Sequence, residues 1–329
     1  MKVLFIGGTG NISSAVSELA VQKGIELWHL NRGQKSLFPV PDGVQTLPAD
    51  IRDPEAAAEA LRGHEWDCVV NWITFTPEQA QTDIDLFRGK TRQFIFISSA
   101  SVYQTPSASP IITEETLIHN PDWLYSKNKI ACEERYTAAE DFPVTIVRPS
   151  QTYSTLIPAA AGAKDYSVVR RLQAGGPAVI HGDGTSLWVL THSEDFAKGM
   201  VGLLGRDDAV GEAFHITSDE VLTWNQIFET IADVFDCEPN FVHIPSDFIA
   251  KIDPEFNGPN LLCDKAHSVI FDNSKIKAFV PDFEATISLR DGLQKVRAWF
   301  DADPARKESA GRNLKVEAAL DRVLAAWPN

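Results

Sequence analysis

Lys2-Val3-Leu4-Phe5-Ile6-Gly7-Gly8-Thr9-Gly10-Asn11-Ile12-Ser13 is the stretch that decides the fold. Lys2–Ile6 is a short apolar, partly β-branched run that stops at glycines. Beyond them Ile12, Val16, Leu19 and Ala20 fall at helical spacing, which predicts a helix over Asn11–Lys23 closed by Gly24. A strand, a glycine turn and a helix in that order form a phosphate cradle. The glycines let backbone approach closely, and the helix start offers free N–H groups and the positive end of its dipole. Gly7 and Gly10 take the first two places of a GxxGxxG pattern. Ser13 stands at the third, where a small residue is required.

Outward from this turn, strands and helices alternate. Strands are expected at Ile25–Leu30, Trp66–Trp72, Gln93–Ser98 and Val144–Arg148. Helices are expected at Asp53–Leu61, Pro77–Phe87 and Asp122–Glu140, the first with Asp53 as N-cap and Pro54 behind it. This order predicts an α/β fold, a Rossmann-type doubly wound parallel sheet with helices on both faces. After Pro149 the alternation weakens. Helices are expected at Asp165–Gln173, Ser193–Leu204, Thr223–Phe235 and Ser288–Asp301. The division expected is a dinucleotide-binding domain over 1–155 and a smaller α/β substrate-binding lobe over 156–300, with segments returning to the sheet. A helical tail over 301–329 completes it.

Composition narrows the function classes. The 329 residues are 44% hydrophobic, enough for a sizeable core, and the net charge is −15. Nucleic acid and anionic membrane both need a basic face, so neither is expected as the main partner. Cys68, Cys132, Cys237 and Cys263 lack CxxC spacing and the eight histidines are dispersed, so no metal site or disulfide framework is expected. With no signal-like segment and no apolar run of membrane length, a cytoplasmic location is the expectation.

The end of the second strand reads on the cofactor. An acidic residue there would hold the adenosine ribose hydroxyls and repel a 2′-phosphate. Asn31-Arg32 stands there instead, which favours NADP over NAD, Arg32 supplying the phosphate partner; a plain surface arginine is the alternative. Asp50-Ile51 ends the next strand, placed to flank an adenine or to cap a turn, and Asn71 ends the strand beside the cofactor crevice.

Tyr125-Ser126-Lys127-Asn128-Lys129 lies in the long helix, and Tyr125 and Lys129, four apart, share a face. A tyrosine near pKa 10 is a poor base at neutral pH; a nearby ammonium and a cationic nicotinamide ring would favour its phenolate. Ser99 follows the strand Phe94-Ile95-Phe96-Ile97 at the end that opens into the ligand crevice, and its hydroxyl can steady the oxygen whose proton Tyr125 handles.

With these residues together, the chain resembles the extended short-chain dehydrogenases/reductases, in the NAD-dependent epimerase/dehydratase group, in an atypical branch. The resemblance rests on GGTGNIS, Asp50, SSASVY, YSKNK, Arg148-Pro149, and Gly182-Asp183-Gly184 with His192 and Asp195, and it spans most of residues 1–300. It implies Ser99, Tyr125 and Lys129 as catalytic. It implies cofactor contacts from Gly7, Thr9, Gly10, Asn11, Ile12, Asp50, Ile51, Asn71 and Pro149, to which the residues themselves add Asn31 and Arg32 at the second strand's end and Lys129 on the nicotinamide ribose. Substrate contacts are expected from Thr74, Ser99, Tyr153 and Trp188. Members commonly act on nucleotide-linked sugars and often form homodimers. Departures stand beside these matches. Trp188 takes the place of an arginine that contacts a diphosphate, either to stack on a sugar or base or to fill the core. Gln104 replaces a glycine, Asn11 an aromatic, and Ser154 a Gly-Pro step.

The expectation is therefore an NAD(P)-dependent oxidoreductase, epimerase or dehydratase working at a hydroxyl or carbonyl carbon of a sugar-like small molecule. The three reactions stay open, because no dedicated extra base is visible and Glu114 and Glu115 read as solvated loop carboxylates. A non-catalytic NADP(H)-sensing protein and an RNA-binding relative are the alternatives. Retention of both Tyr125 and Lys129 argues against the first, and the acidic charge against the second.

Overall fold

The structure, a computed structural model, describes residues 1–33 and 38–328. The strands are β1 Lys2–Ile6, β2 Glu26–Asn31, β3 Gln45–Pro48, β4 Trp66–Asn71, β5 Thr91–Ile97, β6 Ile111–Ile112, β7 Val144–Arg148, β8 Gln151–Tyr153, β9 Ala178–His181, β10 Leu187–His192, β11 Ala213–His215, β12 Val221–Thr223, β13 Phe241–Ile244 and β14 Ile270–Phe271. The first-half helices are α1 Ser13–Gln22, α2 Pro54–Ala60, α3 Pro77–Phe87 and α4 Leu124–Thr137. Then follow α5 Ser167–Gln173, α6 Ser193–Leu203, α7 Trp224–Val234, α8 Ser246–Ile252, α9 Asn257–Asn260, α10 Ser274–Phe279, α11 Leu289–Asp301 and α12 Arg312–Ala326.

Seven strands form a parallel sheet in the order β11-β7-β5-β4-β1-β2-β3. Its central strands are apolar on both sides, as a sheet covered by helices on both faces demands. Alternation along β1 sorts the faces. Val3 and Phe5 pack with Val16 of α1 and Phe196 and Met200 of α6. Leu4 and Ile6 pack with Ala57 of α2, Ile84 of α3 and Tyr136 of α4. The strand order reverses between β1 and β4, which meet with Ile6 beside Asn71. At such a point the two flanking loops leave in opposite directions, so a crevice opens beyond the carboxyl ends of the strands.

The second half holds more sheet than its sequence suggests. β8, β10 and β12 form one small sheet, β9 and β13 a second, and β14 pairs with β6. Each of these strands but β10 has four residues or fewer, too short to show an alternation. Trp188, Trp224, Ile231, Leu293 and Phe300 form the core of this half, and Leu320 and Val323 of α12 join it. β11 crosses back to the edge of the seven-stranded sheet beside β7. The long helix is shorter than Asp122–Glu140 suggests. α4 begins at Leu124 without a side-chain cap, and Asp53 caps α2 by accepting the Ala56 N–H at 3.1 Å.

Candidate active site

The glycine turn sits at the mouth of the crevice. Gly7 has φ +85°, a left-handed conformation that favours glycine, and an added Cβ would lie 2.7 Å from Ile73 Cγ2. Ser13 closes the turn: its hydroxyl accepts the Gly10 N–H at 2.8 Å and donates to the Gly7 carbonyl at 2.9 Å. The serine that replaces the third glycine thus staples the first two. At Gly8 a Cβ would collide with the His29 imidazole, which is itself held by Ser17 at 2.9 Å.

Two cavities flank this turn. The first, about 560 Å³, is lined by Gly7, Thr9, Gly10, Asn31, Arg32, Asp50 and Ile51. Arg32 reaches Asp50 at 3.9 Å while about half of its side chain remains exposed. Asn31 turns its amide oxygen to the Gly33 N–H at 3.0 Å, and Asp50 accepts the Arg52 N–H at 3.0 Å. The second cavity, about 470 Å³, is lined by Ile12, Ser99, Tyr125, Lys129, Pro149 and Trp188, among others.

Ser99, Tyr125 and Lys129 therefore converge on one cavity from β5 and α4. Ser99 follows the end of β5 in extended conformation, and its hydroxyl meets that of Ser101 at 2.9 Å. Burial raises the Tyr125 phenol above its ordinary range, and a hydrogen bond with the Ser99 side chain works the other way. Lys129 is buried and donates from Nζ to the Thr74 carbonyl at 2.7 Å and the Ile97 carbonyl at 2.8 Å. Burial holds its ammonium down at about 8. Its Nζ lies 6.0 Å from the Tyr125 ring centroid. Lys129 thus lies beside the Tyr125 ring with two of its three N–H groups bonded to carbonyls.

Four other expected contacts are redirected. Asn11 lines neither cavity. Its amide donates to the Thr152 carbonyl at 3.1 Å and accepts from Ser154, so its side chain ties the glycine turn to β8. Asn71 and Thr74 lie in a separate small cavity and donate to the buried Asp83 at 2.8 Å and 2.7 Å. Tyr136 also donates to Asp83, at 2.5 Å. Burial raises the Asp83 carboxyl to about 6, with those donors opposing. Tyr153 is 1% exposed in the core of the second half, edge-on to His192, and lies outside the Ser99 cavity. Trp188, earlier in β10 and paired with Leu222 of β12, is buried against Trp224 and also lines the Ser99 cavity.

Behind Ser99 runs a buried polar network that the sequence did not reveal. Arg148 grips Glu133 with two bonds, at 3.0 and 2.7 Å, and donates to the Tyr103 hydroxyl at 2.9 Å. Ser98 donates to Glu133 at 2.5 Å, and Tyr103 pairs with His215. Glu114 is not a solvated loop carboxylate: it turns inward and accepts the His215 N–H at 2.9 Å. Three further pocket residues went unnoticed, Lys164, Asp264 and Lys265. They come from loops far apart in sequence, and no local motif marks them.

A glycine turn at a topological switch point, facing a Ser–Tyr–Lys pocket, defines a Rossmann-type protein built for a dinucleotide. The comparisons give the family. The profile of the NAD dependent epimerase/dehydratase family matches residues 3–217, and the chain belongs to that family. It is 24% identical over 290 residues to 2'-dehydrokanamycin reductase of Streptomyces kanamyceticus, covering 86% of this chain and 80% of that one. It is 24% identical over 267 residues to the chloroplast stem-loop binding protein of 41 kDa b of Arabidopsis thaliana, covering 75% and 67%. In structure it is similar to UDP-glucuronic acid 4-epimerase of Bacillus cereus, solved with UDP-glucuronic acid and NAD. The TM-score is 0.72 and the identity 18%, over 92% of this chain and 99% of that one.

Proposed function

We propose that this protein reduces a carbonyl, or in reverse oxidises a hydroxyl, on a sugar-like substrate, using NADP(H) in preference to NAD(H). The observation that carries this reading is the convergence of Ser99, Tyr125 and Lys129 on one cavity that also reaches Ile12 and Pro149 beside the glycine turn. The cradle fits a dinucleotide: Gly7 leaves no room for a side chain, and the Ser13 staple fixes the turn ahead of α1. Gly7, Thr9, Gly10 and Ile51 would hold the adenosine side, Ile12 and Pro149 the nicotinamide side. When bound, the cofactor supplies or accepts the hydride.

The chain's own groups handle the oxygen and its proton. Ser99 donates to the substrate oxygen and orients it. Tyr125 keeps its proton at neutral pH because burial disfavours the phenolate, which suits it to protonate the oxygen of a carbonyl being reduced. Lys129, anchored by two carbonyls, fixes the helix face that carries Tyr125 and presents a cation beneath it. A reductase among the relatives is in keeping with this direction.

Arg32 supports the NADP(H) preference. Its contact with Asp50 is long and half exposed, so a 2′-phosphate can replace it with a stronger forked pair. Titration with NADPH and NADH, followed by tryptophan fluorescence, tests this on wild type and Arg32→Ala. Selective weakening of NADPH binding in the variant supports the reading; equal binding of both cofactors by both proteins refutes the preference. If neither cofactor binds, the catalytic reading fails.

A further inference from the structure

The cavity that holds Ser99 and Tyr125 also carries an ammonium group with no hydrogen bond and no ion pair within 4.0 Å among the described residues. Lys164, Asp264, Lys265, Asn260 and Trp188 line it. Lys265 is buried, and its charge is already answered. Its Nζ donates to Asn260 Oδ1 at 2.6 Å and to Asp264 Oδ2 at 3.0 Å, and it lies 5.4 Å from the Trp188 ring centroid. The position of Lys265 is fixed through its backbone, whose carbonyl accepts from His181 at 2.9 Å and from the Trp224 indole at 3.2 Å. Lys265 and Asp264 cancel each other. Lys164 has no such partner: among the described residues its Nζ makes no hydrogen bond and no ion pair within 4.0 Å.

Lys164 is half-buried at the wall of a half-open cavity, so its ammonium loses part of its hydration without gaining a hydrogen bond in return. A protein keeps such a group where a ligand completes it. From these contacts we propose that Lys164 is the anchor for an anionic group of the substrate, a carboxylate or a phosphate, held in the same pocket as Ser99 and Tyr125. The lysine supplies the point charge, and the neutral Lys265–Asp264 pair and the Trp188 ring form the surrounding wall. Burial and the nearby Lys265 charge pull the Lys164 ammonium down to about 7, with Asp264 opposing. A bound anion would restore its charge. The substrate class is then an acidic sugar or a sugar phosphate rather than a neutral sugar. This rests on the reading that the pocket takes the substrate.

The test is binding to the full chain, free of turnover. Inorganic phosphate, acetate and glucose are each added during limited acetylation of surface amines, and modification of Lys164 is read by peptide mass spectrometry. Anion binding at Lys164 protects it against acetylation with phosphate or acetate and not with glucose; equal modification in all three overturns the proposal. Calorimetry with glucuronate, glucose 1-phosphate and glucose then separates the sources. An acidic sugar binding about tenfold more tightly than glucose is expected, the tighter of the two acids naming carboxylate or phosphate. That advantage disappears in Lys164→Met and returns in Lys164→Arg, with NADPH binding unchanged in both. A preference for the acid that survives in Lys164→Met contradicts the assignment. Loss of NADPH binding in wild type strikes instead at the proposed function, so the two failures are distinguishable.

Discussion

Lys129 donates from Nζ to the Thr74 carbonyl at 2.7 Å, and this one bond ties α4 to the loop that follows β4. The loop borders the cofactor crevice and the helix carries Tyr125, so Lys129 couples the position of the proton-handling phenol to the edge of the crevice. In Lys129→Met the carbonyls of Thr74 and Ile97 are left without a buried donor. A loss of roughly 1–3 kcal/mol in stability is expected from chemical denaturation. Turnover should fall by about 10²–10⁴-fold. Lys129→Arg should not restore it, because the wider guanidinium does not fit between the two carbonyls.

Ser13 is the small residue at the third place of the glycine pattern, and its hydroxyl bonds to both glycines before it. Ser13→Ala leaves the Gly10 N–H and the Gly7 carbonyl to find other partners. The expected result is a loss of about 1 kcal/mol in stability and weaker dinucleotide binding, read by denaturant titration and cofactor fluorescence. Unchanged cofactor affinity would mean that the turn holds its shape without the staple.

At Gly8 no side chain can be added without moving His29, whose ring is buried and bonded to Ser17. Gly8→Ala should therefore destabilise the protein by about 1–3 kcal/mol. Pairing it with His29→Ala should recover part of that loss, and a thermal denaturation series on the two single variants and the double variant measures the coupling.

Acid should weaken the fold before it weakens any surface pair. Burial lowers His29 and His181 to about 4 and His215 to about 3, all below the ordinary value of 6.5. The unfolded chain therefore takes up these protons first. The stabilisation is complete above 6.5 and is lost as pH falls toward 4, by roughly 2 kcal/mol per histidine at about pH 5. Asp83 acts in the opposite sense. Burial raises it from 3.8 to about 6, so its penalty above 6 is relieved as pH falls, by roughly 1 kcal/mol at about pH 5. Three histidines outweigh one aspartate, and urea denaturation at about pH 7 and about pH 5 should show a net loss of a few kcal/mol at the lower pH. Asp83→Asn should increase the loss on acidification.

Local patterns were legible in the sequence; convergence was not. The glycine turn, the Tyr125–Lys129 pair and the strand ahead of Ser99 are each contained in a few consecutive residues. Their order also gives the parallel sheet, because strand–helix alternation permits little else. Tyr153 is expected as a substrate contact with the family resemblance. In the structure its ring is spent on His192 and on packing beside Gly292, where an added Cβ would strike the phenol. Trp188 lines the pocket from β10, where its partner is Leu222 of β12, a three-residue strand too short to announce the pairing. Lys164, Asp264 and Lys265 meet only because α9 and the turn after it fold back on the loop before α5. Spacing placed Lys129 on the face it shares with Tyr125, but the carbonyls of Thr74 and Ile97 that it bonds come from distant segments and leave no local mark in the sequence.

The most direct measurement is carbonyl reduction by wild type and Tyr125→Phe with saturating NADPH, followed by loss of cofactor absorbance, alongside NADPH titration of both proteins. Equal cofactor binding with turnover lower by about 10²–10⁴-fold in the variant is the expected result. Turnover retained by Tyr125→Phe would contradict a proton-transfer role for Tyr125 and, with it, the active site described above.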